Sequence, residues 1–294
     1  VSAVVGGCEC GDQAGGAAAA IHDVVHALHA RDPSDSLAGM STPAADGLLV
    51  HDADGVRHIT FDRPDRLNAL TTQVLDAAAD AVASAGDARV IVLTGSGRAF
   101  CAGADVSGDM APSVDTLDSA NRLVRVLLQS PRPAIAAVNG VAAGVGVSIA
   151  LACDLVVARE SASFMLAFTR IGLMPDGGAS LLVAASIGRA RAMRMALLAE
   201  KVSAPTAADW GLVSHVVSDE GFDAEVARLT AQLAAGAPLA QGWTKRAVNE
   251  ASLSLIEQAF SLERDGQGVL LGSEDFAEGT AAFQAKRDAS FRGR

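Results

Sequence analysis

Three short stretches of this chain carry residue types that could do chemistry. Phe-Cys-Ala-Gly-Ala-Asp at 100–105 and Asn-Gly-Val-Ala-Ala-Gly-Val-Gly at 139–146 each follow or close an apolar, strand-like run. Around Gly144 to Gly146 the turn leads into a helix, and free main-chain N–H groups at such a place can hold an anion or a developing oxyanion. The third stretch is Pro175-Asp176-Gly177-Gly178. Asp176 stands close in sequence to Phe164, Met165, Leu173 and Met174, and an apolar setting raises a carboxylate's pKa until it can act as base and acid near neutral pH. The same four residues are also suited to capping a helix that starts near Gly177. Both readings stand at this point.

Other reactive side chains offer less. Cys8 and Cys10 lie in a Gly-rich segment with too few partners for a zinc site, and Cys101 and Cys153 sit in apolar runs. All four read as reduced thiols of a cytoplasmic protein, with Cys101 a small apolar filler. The histidines at 22, 26, 29, 51, 58 and 215 lie in no motif, so a histidine base is not expected, nor is a metal centre. Asp105 reads as a helix cap or loop anchor, and Ser148 as a hydroxyl bonding back within its own helix.

The elements that must position these stretches are those of an α/β protein. Half of the 294 residues are apolar, aromatics make up 4%, and glycine is abundant, which suits tight helix packing better than an all-β design. A net charge of −11 argues against a nucleic acid or an anionic membrane as partner. Pro133 to Asp154 is long, apolar and uncharged between its ends. Its glycines, Asn139 and the lack of basic flanks mark a buried strand (134–138), a turn at Asn139-Gly140 and a small-residue helix rather than a membrane span.

In chain order, 48–52 and 56–62 alternate around Ala53-Asp54-Gly55 as a hairpin. Thr71 or Thr72 caps a helix to about Ala85. Val90–Thr94 is a buried strand; residues 106–114 read as a mobile loop before a helix through about Leu128. Asp154–Ala158 and Phe164–Phe168 read as strands, then a helix starts near Ala179. Helices follow at 189–198, 204–210 and 223–235 with a strand at 212–217. The tail from Ala237 is helical, broken near Gly266–Gly272. Strand–helix alternation with short connections predicts parallel strands, and no internal repeat is visible in the sequence.

Residues 1–39 differ. They are Gly/Ala-rich, with Arg31 against Glu9, Asp12, Asp23, Asp32 and Asp35. They read as a disordered upstream extension, with Met40-Ser-Thr-Pro as a natural beginning, and they lack the basic region and apolar run of a secretory signal.

Five motifs in order resemble the crotonase superfamily, the enoyl-CoA hydratase/isomerase proteins. They are I-T-F-D-R-P-D-R-L-N-A-L (59–70), V-I-V-L-T-G-S-G-R-A-F-C-A-G-A-D (90–105), A-I-A-A-V-N-G-V-A-A-G-V-G (134–146), I-G-L-M-P-D-G-G-A-S (171–180) and A-A-F-Q-A-K-R (281–287). The resemblance implies a spiral of ββα units over 40–235 and a C-terminal helical region, 236–294, that builds a homotrimer or a hexamer of two trimers. It also implies an acyl-CoA substrate, so that coenzyme A belongs to the substrate and no separate cofactor is needed. By position, the N–H groups of Ala104 and Val145 would form an oxyanion hole for the thioester oxygen, each contributing on the order of 3 kcal/mol to the transition state. Arg63, Leu67, Ala102, Phe283 and Lys286 would contact coenzyme A.

Two departures from that family pattern matter. A hydratase of the family places two glutamates over its substrate, and the matching positions here are Ser148 and Phe168. Neither can do carboxylate chemistry. The stretch around Asp176, followed by I-G-R-A-R-A-M-R-M-A-L-L, is similar instead to double-bond isomerases and to the ring-epoxide isomerase of phenylacetyl-CoA breakdown, where the matching aspartate is the acid/base. The expectation is therefore an acyl-CoA isomerase. An enoyl-CoA hydratase and a non-catalytic acyl-CoA-binding trimer are the alternatives.

Overall fold

The computed structural model describes residues 42–106 and 112–294. The extension expected over 1–39 and most of the loop expected over 106–114 lie outside these residues.

The chain opens with β1 (Thr42–Ala45), β2 (Leu48–Ala53) and β3 (Val56–Phe61), paired antiparallel. The β2–β3 turn is the expected one, with both Asp54 and Gly55 at positive φ. Helix α1 (Thr72–Ala83) starts where the Thr71 hydroxyl accepts the Val74 N–H at 3.3 Å. Then come β4 (Val90–Gly95), β5 (Ala99–Cys101) and α2 (Val114–Gln129). The pattern repeats with β6 (Ala134–Val138), β7 (Val141–Ala143) and α3 (Val145–Ala152), and again with β8 (Leu155–Arg159), β9 (Ser163–Met165) and α4 (Ala179–Leu198). These are the turns of a ββα spiral.

In each turn the first strand joins a seven-stranded sheet, β1-β2-β3-β4-β6-β8-β11, and the second joins a four-stranded sheet, β10-β9-β7-β5. One edge of each sheet is made by β11 (His215–Val217) and β10 (Val202–Ser203), on either side of α5 (Ala204–Trp210). From β3 to β11 the large sheet is parallel. Both its faces are therefore covered. Ile91, Leu93, Ala136 and Val138 face the main core, while Val90, Val92, Ile135 and Val157 pack with Phe222 and Leu229. The latter two belong to α6 (Phe222–Ala235). Helices α7 (Pro238–Ser252), α8 (Ile256–Leu270) and α9 (Glu274–Gln284) complete the chain.

The stretch Pro133–Asp154 is the expected strand, turn and helix, with one strand more. Among the described residues no helix is long and apolar enough to cross a membrane. The extra strand β7, like β5, is three residues long, too short for a two-residue period to register in the sequence. The strand expected over Phe164–Phe168 stops at Met165 because its partner β7 stops, and Ala167–Ile171 turns as a 3₁₀ helix ending at a left-handed Gly172.

The break expected near Gly266–Gly272 falls at the far end of that range: helix α8 runs through Gly266 and Gly268, and the chain turns at 271–273, with a further bend at 253–255. A Cβ at Gly266 would lie 2.3 Å from the Met174 sulfur, so this glycine permits a close approach rather than ending the helix.

Candidate active site

Strand β5 leads into Ala102-Gly103-Ala104, and this segment is tied to the turn that precedes α1. The Leu67 carbonyl accepts the Ala102 N–H at 3.0 Å, Leu70 donates to the Gly103 carbonyl at 2.8 Å, and Asp105 donates to the Leu70 carbonyl at 2.9 Å. In this parallel pairing residues 103 and 105 face Leu70, so the N–H of Ala104 between them points to the other side. Buried Asn68 fixes the turn: it accepts the Arg63 N–H and donates to the carbonyls of Ser96 and Ala99.

The second turn meets the first. Gly144 has φ 54° and ψ −130°, a backbone conformation open to glycine alone, and Gly103 has φ 103°. A Cβ on Gly144 would lie 3.5 Å from the Gly103 Cα, so the two turns are in van der Waals contact. Val145 is the first residue of α3, and its N–H is one of the helix's unpaired donors. Among the described residues, neither the Ala104 nor the Val145 N–H donates to another main-chain group.

Both residues line one cavity of about 220 Å³, together with Ala102, Phe168, Asp176 and Phe283. Phe168 brings its ring near Gly144, and Leu117, Leu173 and Leu271 make further apolar wall. Arg63, Leu67 and Lys286 lie outside this lining. Arg63 pairs with Asp105 at 2.9 Å, which makes Asp105 a loop anchor, one of the two roles expected for it.

Asp176 is the one carboxylate among the described residues of the lining. Burial is the main cause that pushes its carboxyl up to about 7; a hydrogen bond from Gln267 works the other way, and the nearby Glu263 adds to the rise. The Gln267 Nε2 donates to Asp176 Oδ2 at 2.7 Å, and the Gln267 Oε1 accepts the Met174 N–H at 3.3 Å.

The capping alternative for Asp176 belongs to another residue. Glu263, fully buried on α8, accepts the N–H of Gly178 at 2.7 Å and that of Ser180 at 2.9 Å, and also the Ser180 hydroxyl. Glu263 thus meets the N–H groups of the cap residue Gly178 and of Ser180, and the Asp176 main-chain carbonyl accepts that of Ala179 at 3.1 Å, which leaves the Asp176 side chain free of that duty. Ser148 also differs from expectation. Its hydroxyl does not bond back within α3 but donates to the main-chain carbonyl of Asp176 at 2.8 Å. The reason is proximity: a Cβ on Gly177 would touch both Val145 and Ser148, so the loop lies directly on the start of α3.

Glu263 and Gln267 lie in no motif. One signal for them exists in the sequence: Ile256, Phe260, Glu263 and Gln267 share a helix face, and a carboxylate and an amide on an apolar face need buried partners. Cys101 is buried with its thiol pushed up to about 12 by burial, in keeping with an inert filler. No cluster of His, Cys, Asp and Glu able to hold a metal ion occurs among the described residues.

Known proteins share this architecture. A family model described as enoyl-CoA hydratase/isomerase matches residues 51–294. A probable enoyl-CoA hydratase of Rhodobacter capsulatus is 44% identical over 248 residues, covering 82% of this chain and 96% of the relative. The 1,2-epoxyphenylacetyl-CoA isomerase of Escherichia coli is 38% identical over 260 residues, covering 84% and 98%. Among solved structures, an enoyl-CoA hydratase from Mycobacterium avium subsp. paratuberculosis aligns with a TM-score of 0.80 at 49% identity, over 84% of this chain and 98% of that one.

Proposed function

The chain belongs to the enoyl-CoA hydratase/isomerase family of the crotonase superfamily, and on that premise we propose that it isomerises an acyl-CoA thioester through an enolate. The thioester oxygen sits between the N–H groups of Ala104 and Val145. Asp176 takes a proton from a carbon near the thioester, and the electron pair of that C–H bond moves onto the thioester oxygen, held by the two donors. The proton then returns to a different carbon. A double bond shifts this way in an enoyl-CoA; a ring epoxide would open against the same clamp.

Coenzyme A enters as part of the substrate, and the scheme uses no metal or redox group. In this reading the nucleotide end runs past Ala102 and Phe283 towards Arg63, Leu67 and Lys286. Assembly into a trimer or a pair of trimers belongs to the same proposal; the exposed Leu239 and Trp243 of α7, 79% and 66% accessible, support it.

One observation carries the choice of chemistry. The single carboxylate in the described lining, Asp176, is relieved of capping by Glu263 and titrates near neutral pH, where one group can both take and return a proton. The relatives named as hydratases support a second reading, hydration of a 2-enoyl-CoA. Hydration needs a second group to hold water, and the Ser148 hydroxyl is already engaged with the Asp176 carbonyl.

Asp176→Asn separates the readings. Conversion of a 3-enoyl-CoA should fall by about 10²–10⁴-fold, the usual worth of a positioned acid/base. The unmutated enzyme should gain activity as pH rises through about 7 and the carboxyl becomes the base. Hydration of 2-enoyl-CoA with no conversion of 3-enoyl-CoA would hand the assignment to the hydratase. Turnover that survives the substitution removes Asp176 as acid/base, and acyl-CoA binding without any turnover makes the protein a binder.

A further inference from the structure

The amide of Gln267 bridges the residue it serves. It donates to Asp176 Oδ2 and accepts from the N–H of Met174, two residues earlier, so it grips the loop on both sides of Pro175. The direction of the amide follows from chemistry. The Met174 N–H can only donate, so the oxygen of Gln267 must face it, and the nitrogen must therefore face Asp176. An amide nitrogen can only donate. The Asp176 oxygen that it touches is thereby an acceptor whether the carboxyl is ionised or protonated.

We propose that Gln267 is a positioning residue that divides the two oxygens of Asp176 between separate tasks, Oδ2 held by the amide throughout the cycle and Oδ1 alone carrying the proton. In the forward step Oδ1 forms an O–H bond as the substrate C–H bond breaks, and that bond's electron pair moves into the enolate. In the return step the O–H bond breaks at Oδ1 as a new C–H bond forms. Protonation at Oδ2 would make the oxygen that the amide donates to the poorer acceptor and cost part of that hydrogen bond, so the proton is carried on Oδ1. Fixing the reactive oxygen fixes where the proton is taken and delivered, because a carboxyl free to rotate would present either oxygen. The inference rests on the isomerase reading, in which Asp176 is the acid/base.

The surroundings of Asp176 leave this job to Gln267. Glu263, one turn earlier on α8, is engaged by Gly178 and Ser180. On α3, Val145 is apolar and Ser148 is neutral and bonds the main chain of Asp176. Arg170, the cation in the cavity lining, donates to the Ala199 carbonyl at 3.0 Å, and Asp105 pairs with Arg63.

Two substitutions and one pH series test the assignment. Gln267→Leu removes the donor: kcat on 3-enoyl-CoA should fall about 10–100-fold, in line with the cost of a misplaced reacting group. KM should stay within about threefold, since Gln267 acts on the base and not on thioester binding. The midpoint of the pH profile should move to higher pH, because the lost hydrogen bond favoured the ionised carboxylate. Gln267→Glu adds the sharper readout. While protonated, the introduced carboxylic acid can donate to Oδ2 and accept from Met174, so activity should approach the parent's at low pH. It should collapse as that acid ionises beside Asp176. A structural filler would give neither the displaced midpoint nor the low-pH rescue, and either variant keeping the parent profile overturns the assignment. A full-activity Asp176→Asn protein would bring down the isomerase reading itself. Loss in Asp176→Asn with an unmoved profile in Gln267→Leu brings down the Gln267 role alone.

Discussion

The two halves of the proposed site, oxyanion donors on one side and acid/base on the other, are held in different ways. The donor side, Ala104 and Val145, is built from main chain: two glycine turns in contact, each continuous with a strand of the small sheet, and a helix start. Apart from Asn68 and the Arg63–Asp105 pair, which anchor the neighbouring turn, no side chain has to be placed for those N–H groups to converge. The acid/base side is built from side chains. The loop Met174–Ser180 owes its position to Ser148 of α3 and to Glu263 and Gln267 of α8, the last two 83 to 91 residues further along the chain. A main-chain device tolerates changes of side chain and fails when backbone geometry is disturbed. A side-chain device does the opposite.

That contrast is open to direct attack. Gly144→Ala should have the largest effect, a kcat loss of about 10²–10³-fold from displacing one oxyanion donor. The Cβ has room beside Gly103, so the damage comes from the forbidden φ/ψ pair rather than from a clash. Steady-state kinetics on an acyl-CoA would show it; near-parent kcat would mean that the donor does not depend on this turn. Glu263→Ala comes next. It leaves the N–H groups of Gly178 and Ser180 without their buried carboxylate and should cost about 3 kcal/mol of stability, read from urea melts. The acid/base loop should loosen at the same time, so kcat falls while donor-side binding of acyl-CoA persists. If stability drops and kcat does not, the loop holds itself and the contrast is broken. Ser148→Ala is the mildest: one hydrogen bond, about 1 kcal/mol of stability, and less than about a fivefold change in kcat.

The same division explains what could be read from the sequence. Gly103 and Gly144 announced the donor turns because glycine at such places has a local cause, and Thr71 and Asp54-Gly55 announced a helix start and a hairpin for local reasons as well. The long buried strands β4 and β6 were visible as apolar runs. Of the three-residue strands of the small sheet, β9 was read and β5 and β7 were not, so the repeat of the ββα unit came from the family resemblance and not from the local pattern. On the proposed acid/base side, Asp176 was singled out from the sequence, yet its competing role as a cap could not be dismissed there. The residue that takes over capping, Glu263, looks like any surface glutamate until its helix face is drawn. The break expected near Gly266–Gly272 falls at Gly272, and the part played by Gly266 was hidden for a related reason. What it makes room for is Met174, and nothing within ten residues of Gly266 says so.

The dependence of Asp176 on α8 also sets an order in time. A ribosome lays down both donor turns and the aspartate well before it reaches the helix that steadies that aspartate. From Asp176 to Gln267 there are 91 residues still to come, about 5–18 seconds of synthesis at roughly 5–20 residues per second. On the proposed roles, the nascent chain in that interval holds the residues of both donor turns and an aspartate without its Gln267 partner, so competence arrives with the tail rather than with the residues assigned to the chemistry.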